Sequence, residues 1–178
     1  MPRQIALLRG INLGPNRRVS MPRLRELLEG HGYEDVETYV QSGNVVLTSD
    51  AAPGEVADAL ERRLAADLGF DVAVVVRTRA ELADVVARDP FADVVDEPRR
   101  YQVTFLSTEP GDELRRTIEA AAVAPERVAV SGREIYAWHP DGVGRSDLAK
   151  FLADRRLGVT GTARNWNTVL QLLELAAE

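Results

Sequence analysis

The sequence predicts an α+β fold: two tandem split β-α-β subdomains, each a mostly antiparallel sheet with helices on one face and an extra helix after it. Three observations predict it. Short apolar runs alternate with helical stripes in the order strand-helix-strand-strand-helix-strand. That order occurs twice, and in each copy a Ser-Gly pair, Ser42-Gly43 and then Ser131-Gly132, stands where the central hairpin turns. Between the copies, Asp89–Arg100 carries Pro90 and Pro98 and reads as a connection. The expected organisation is a first subdomain over 1–88, a connection over 89–100 and a second subdomain over 101–178.

In the first copy, Gln4–Arg9 is an apolar run closed by Arg9-Gly10 and reads as a buried strand. Ser20 and Pro22 then open a helix, because a serine oxygen satisfies free amides and proline fits the first turn. Leu24, Leu27 and Leu28 share one face of that helix, and Gly30 or Gly32 ends it. Val36–Val40 and Val45–Thr48 form the hairpin. Val56, Leu60, Leu64 and Leu68 repeat at a spacing of four up to Gly69, and Val72–Val76 is the fourth strand. Thr78 with Glu81 makes a capping box for a helix reaching about Ala87.

The second copy follows the same order. Tyr101–Leu106 is a strand, and Leu114, Ile118 and Ala121 mark a helix. Val128–Val130 and Ile135–Trp138 make the hairpin, and Leu148, Phe151 and Leu152 mark the next helix. Val159–Thr162 is a short strand. Asn165 stands at the capping position before the last helix, whose stripe is Trp166, Val169, Leu170 and Leu173. This order is that of a ferredoxin-like unit, used twice.

Composition narrows the function classes. Hydrophobic residues at 45% and charged residues at 28% are ordinary globular values. Without cysteine there is no disulfide framework and no thiolate metal site, and the two histidines, His31 and His139, have no metal-ligand spacing. No cofactor motif is present: the first loop lacks both the Gly-Lys-Ser/Thr ending of a phosphate-binding loop and the G-x-G-x-x-G pattern. The chain enters its first strand without an apolar leader and has no run of transmembrane length, so a soluble cytoplasmic protein with no membrane partner is expected. A net charge of −6 counts against a nucleic-acid binder held by bulk charge. Lys150 is the single lysine, so nearly all positive charge is arginine.

Topology groups the polar motifs. In a split β-α-β unit the end of the first strand and the hairpin tip share an edge. Arg9, Asn12 and Arg17 are therefore expected near Ser42 and Asn44, some 30 residues away. In the second copy, the start of the second helix and the end of the fourth strand share an edge, which is expected to bring Arg145 and Ser146 near Arg164, Asn165, Trp166 and Asn167. These eleven residues form the candidate ligand-binding set. Several of them also have a structural alternative: Arg9 and Asn12 in a loop, Asn44 in a turn, Ser146 and Asn165 as helix caps, Trp166 at the head of a core stripe. His31 follows a helix end and is expected to be exposed, and His139 sits in a turn.

The strings L-L-R-G-I-N-L-G, T-Y-V-Q-S-G-N-V-V, G-R-S-D-L and T-A-R-N-W-N-T-V resemble the bacterial domain-of-unknown-function 1697 family, in its order and spacing over essentially the whole chain. In that family the third string usually reads G-R-S-K-L, and Asp147 stands here at the lysine position. The resemblance implies an α+β fold of two related subdomains and brings no established activity, substrate or cofactor.

The leading functional expectation is a domain that binds a small anionic or phosphate-bearing ligand, such as a nucleotide. Arg9, Arg17, Arg145 and Arg164 would meet the charge, and Asn12, Asn44, Ser146 and Asn167 would supply oriented hydrogen bonds. One alternative is an enzyme acting on such a ligand, although the sequence shows no Ser-His-Asp or Cys-His arrangement. The other is a single-stranded nucleic-acid binder that stacks bases on Tyr39, Tyr101, Tyr136 and Trp138.

Overall fold

A computed structural model describes residues 1–177. The chain divides into two compact units, Met1–Ala83 together with the residues from Gln171 onward, and Asp84–Leu170. The boundary falls inside a helix, earlier than the sequence places it. The end of the last helix groups with the first unit, where the sequence puts it in the second.

The first unit runs β1 (Arg3–Arg9), α1 (Met21–Gly30), β2 (Glu34–Tyr39), β3 (Asn44–Thr48), α2 (Pro53–Leu68) and β4 (Ala73–Thr78). Its sheet order is β2-β3-β1-β4 and every neighbouring pair is antiparallel. With β3 between them, β1 and β2 run parallel, as a split β-α-β unit requires. Ser20 caps α1 by accepting the Arg23 amide at 3.3 Å. One sheet face, through Ala6, Leu8, Val45, Leu47, Val74 and Val76, packs on Leu24 and Leu28 of α1 and Leu60 and Leu64 of α2. Ile5, Leu7, Val46 and Val75 of the other face are buried as well. Burial on both faces is why these strands read as unbroken apolar runs rather than alternating ones. The β2–β3 register slips between Glu34 and Glu37, and Asp35 there has φ +50°. Arg3 spans the slip, donating to the Asp35 carbonyl at 3.2 Å and to Glu37 Oε1 at 2.6 Å.

Helix α3 (Arg79–Ala87) opens with the expected capping box: the Thr78 amide donates to Glu81 Oε2 at 2.8 Å, and the Glu81 amide to Thr78 Oγ1 at 3.1 Å. The second unit continues through β5 (Tyr101–Leu106), α4 (Asp112–Ala120), β6 (Arg127–Ser131), β7 (Glu134–Trp138), α5 (Asp147–Ala153), β8 (Gly161–Asn165) and the first half of α6 (Trp166–Leu175). Its sheet order, β6-β7-β5-β8, is again antiparallel throughout and repeats that of the first unit. Leu106, Ile135 and Ala137 pack on Ile118 of α4 and on Leu148 and Leu152 of α5.

Two sequence expectations shift. The segment read as a connection, 89–100, packs on its own sheet. Asp89 Oδ1 accepts the Tyr101 hydroxyl at 2.5 Å, and Phe91 meets the Tyr101 ring edge-on with centroids 6.2 Å apart. The last strand begins at Gly161 rather than Val159. Gly161 sits opposite Leu106, where a Cβ would lie 2.8 Å from Leu106 Cδ2 and 3.1 Å from Thr104 Cγ2. Close approach of these side chains leaves no room for a Cβ at this register position. Among the described residues no helix is long and apolar enough to cross a membrane.

Candidate functional site

At the first unit's edge, where β1 ends and the β2–β3 hairpin turns, Asn12 is the central link. Its Oδ1 accepts the Val19 amide at 2.9 Å, its Nδ2 donates to the Gln41 carbonyl at 2.6 Å, and its own amide donates to the Arg17 carbonyl at 2.6 Å. One side chain thus closes the loop after β1 on itself and ties it to the hairpin tip. Asn12 holds φ +55°, a left-handed conformation that asparagine tolerates better than most residues. Asn12→Ala is expected to lose about 2 kcal/mol of stability, since it removes two side-chain hydrogen bonds and strains the backbone. Chemical denaturation measures this directly, and a change within 0.5 kcal/mol would remove the linking role.

Asn44 is buried, and its Nδ2 donates to the Tyr39 carbonyl at 3.0 Å and to Ser42 Oγ at 2.9 Å, so it shapes the hairpin turn. Arg9 is half-buried and shares with Leu7 and Asn44 the sheet face turned away from the helices. The structure therefore brings Asn12, Arg17, Ser42 and Asn44 to one edge with Arg9 at the end of β1, as the topology requires. Its use of the two asparagines, however, is internal.

Arg17 differs from the others. Its Nε donates to the Gly10 carbonyl at 2.5 Å, its Nη2 donates to the Asp71 carbonyl, and its guanidinium lies 4.6 Å from the centre of the Phe70 ring. All of these partners are neutral. Among the described residues no carboxylate pairs with Arg17, although the side chain is half-buried and held from three directions. Of the five N–H donors a guanidinium carries, two are used in these bonds.

Two apolar side chains stand out on the same edge. Leu13, next to Asn12, is 68% exposed, and Val40, next to Gln41, is 51% exposed. Val40 also has φ +51°, which is uncommon for a β-branched residue. No sequence motif marks Leu13, Val40, Phe70 or Asp71 as part of this edge. A leucine inside a Gly/Asn loop was the one signal available for any of them.

The second unit distributes its motif residues differently. Arg164 lies opposite Val103, on the sheet face turned away from α4 and α5, and is 8% exposed. Its Nη1 donates to Thr162 Oγ1 at 2.6 Å and to the Ala163 carbonyl at 2.9 Å, and burial lowers its pKa to about 10. Asn165 accepts the Thr168 amide at 3.0 Å as a helix cap, and Asn167 is exposed. Trp166 packs on Tyr101 with ring centroids 4.9 Å apart. Ser146 caps α5 by accepting the Ala149 amide at 2.9 Å, and Arg145 beside it is exposed.

Ser146 does not join the Arg164 group. Its hydroxyl donates to Glu126 Oε2 at 2.5 Å and lies 3.0 Å from Nδ1 of His139, which is itself 2.6 Å from the same carboxylate oxygen. Glu126 immediately precedes β6, and Asn165 ends β8. These strands are at opposite sides of the sheet, three interstrand spacings or about 14 Å apart. Helix α5 and the Arg164 side chain also occupy opposite faces.

The Glu126–His139–Ser146 contact was not foreseen, because nothing local marks Glu126. It is not a hydrolytic triad: serine and glutamate both meet Nδ1, and Nε2 is buried with no hydrogen-bond partner among the described residues. His31, expected to be exposed, is half-buried with Nε2 2.7 Å from Asp67 Oδ2. Tyr101, Tyr136 and Trp138 are buried, so these rings offer no surface for stacking bases. No group of acidic or histidine side chains suited to a metal ion occurs among the described residues.

Comparison with known proteins agrees with this architecture. The conserved bacterial protein SP0830 from Streptococcus pneumoniae has a similar structure, with a TM-score of 0.82 and 25% sequence identity over 100% of this chain and 99% of the other. No curated protein matches the sequence. The family described as Protein of unknown function (DUF1697) matches residues 1–136, which takes in the first sheet, the loop of Asn12 and Arg17, and the second sheet as far as Tyr136. The chain belongs to this family.

Proposed function

We propose that the protein binds a small anionic ligand at the loop edge of its first unit, with Arg17 as the charged contact. The observation that carries this reading is the environment of Arg17. Two backbone carbonyls and an aromatic ring hold the guanidinium in place, and no acid among the described residues neutralises it. A half-buried guanidinium keeps part of its surface open to an incoming ligand. One that is fixed but not neutralised is preorganised for an anion and loses little side-chain entropy on binding. Asn12 and Asn44 then serve as the frame that sets the loop against the hairpin, and Arg9 and the Ser42 hydroxyl are the further polar groups of that edge.

Calorimetric titration with inorganic phosphate and pyrophosphate tests the proposal. Arg17→Gln keeps much of the side chain's length and removes its charge. It is expected to weaken binding about 10- to 100-fold, the range for a charge-assisted hydrogen bond. Equal binding by the variant, or no binding of either anion by the wild type, overturns the reading.

A further inference from the structure

We infer that the ligand of the Arg17 site is an amphiphilic anion, whose charged group meets Arg17 and whose apolar part lies over Leu13 and Val40. The inference rests on the Arg17 reading and adds the chemical class of the ligand.

Its basis is the cost of this edge to the free protein. Val40 is β-branched, yet it holds φ +51°, a region that suits glycine or asparagine and strains a branched side chain. Such strain is normally offset by packing, but half of Val40 faces solvent. Leu13 is more exposed still, whereas the other apolar residues of its loop, Ile11 and Val19, are buried. Neither side chain belongs to the core of its unit.

The framework places these side chains in a fixed relation to the charge. The Asn12 side chain donates to the Gln41 carbonyl, and Leu13 and Val40 are the chain neighbours of those two residues. Arg17 is tied to the same Asn12 through the backbone and leans toward Asp71, on the β4 side of β1. The hairpin tip lies on the β3 side. The charge thus lies at β1 and toward β4, and the hairpin tip with Val40 lies one to two interstrand spacings away, about 5–10 Å, which an aryl or short alkyl phosphate spans. The charge on one flank decides what covers the apolar pair: a ligand with an anionic end satisfies both, and a purely apolar partner leaves Arg17 unanswered.

Paired titrations of the intact chain with inorganic phosphate and phenyl phosphate test this. Wild type is expected to bind phenyl phosphate about tenfold more tightly, from the apolar area covered. Val40→Asn, in which the new residue suits the left-handed backbone, is expected to melt at or above the wild-type temperature while the ratio of the two affinities falls toward one. Leu13→Ser is expected to lower the same ratio. Inorganic phosphate bound as tightly as phenyl phosphate by wild type overturns this inference and leaves the Arg17 reading standing. If neither probe binds, both fall. A lower melting temperature for Val40→Asn shows that Val40 serves packing, and also overturns the inference.

Discussion

Gly43→Ala is expected to lower the melting temperature by roughly 6–12 °C, from a stability loss of about 3 kcal/mol. Gly43 lies in the hairpin turn with φ +84°, and its carbonyl accepts the Leu8 amide at 2.9 Å. A Cβ there would lie 2.8 Å from Leu8 Cβ and 2.9 Å from Ile11 Cδ1. Leu8 belongs to the sheet core and Ile11 is buried against it, so neither can withdraw without opening a void. Overpacking contributes about 1–3 kcal/mol, and the left-handed backbone adds about 1–2 kcal/mol. Gly14→Ala separates the two effects. Gly14 has nearly the same φ, +79°, with no atom within 4 Å of its would-be Cβ, so strain alone acts there. Its loss should stay near 1 kcal/mol by calorimetry. Equal losses at the two positions would show that the close approach at Gly43 carries no energy.

Raising the pH above 10 is expected to destabilise the second unit. Tyr136 is buried, and burial pushes its hydroxyl up to about 12. Burial followed by the hydrogen bond to Asp89 pushes Tyr101 higher still. In the unfolded chain both ionise near the ordinary tyrosine value of about 10. Between that value and the folded ones, the native state therefore holds more protons than the unfolded state. Stability falls with pH throughout that window, by about 1 kcal/mol per tyrosine at pH 11. Arg164 acts in the opposite direction. Its lowered pKa means that the native state releases a proton first, returning about 1 kcal/mol over the same range. Two tyrosines outweigh one arginine, so a net fall of about 1 kcal/mol is expected in urea midpoints between pH 9 and pH 11. Tyr136→Phe should flatten that slope while lowering stability at neutral pH, because the Val85 carbonyl loses a donor at 2.7 Å. An unchanged slope in the variant would remove Tyr136 from the account.

Much of the architecture was legible because each element carries its own local signal. Ser20, the Thr78–Glu81 pair and Ser146 each predict a cap that the structure contains, and Ser42-Gly43 and Ser131-Gly132 mark where the two hairpins turn. Strand register was less legible. The apolar Val159 suggests an early start to the last strand, whereas the strand begins at Gly161.

The candidate site was legible as a place but not as a set of roles. Topology alone brings the loop after β1 to the hairpin tip. What each side chain does there depends on partners distant in sequence. Asn12 reaches Gln41, Arg17 reaches Asp71, and Ser146 reaches Glu126, and no motif at either end of these contacts announces the other. The sequence marks the asparagines as candidate ligand contacts, and in the structure their side chains also bond the loop and the hairpin, while the neutral surroundings of Arg17 come from residues that its motif does not contain.

The register slip in β2 has a consequence for how copies of the chain avoid one another. β2 is the outermost strand of its sheet, and a straight outermost strand offers a row of unsatisfied amides and carbonyls to any other strand. Here Asp35 turns the backbone out of line, Arg3 occupies its carbonyl and pairs with Glu37, and Glu34 and Asp35 place exposed carboxylates on the rim. A second copy approaching this rim meets a kinked template and like charges, so the irregularity guards a strongly apolar sheet against edge-to-edge aggregation.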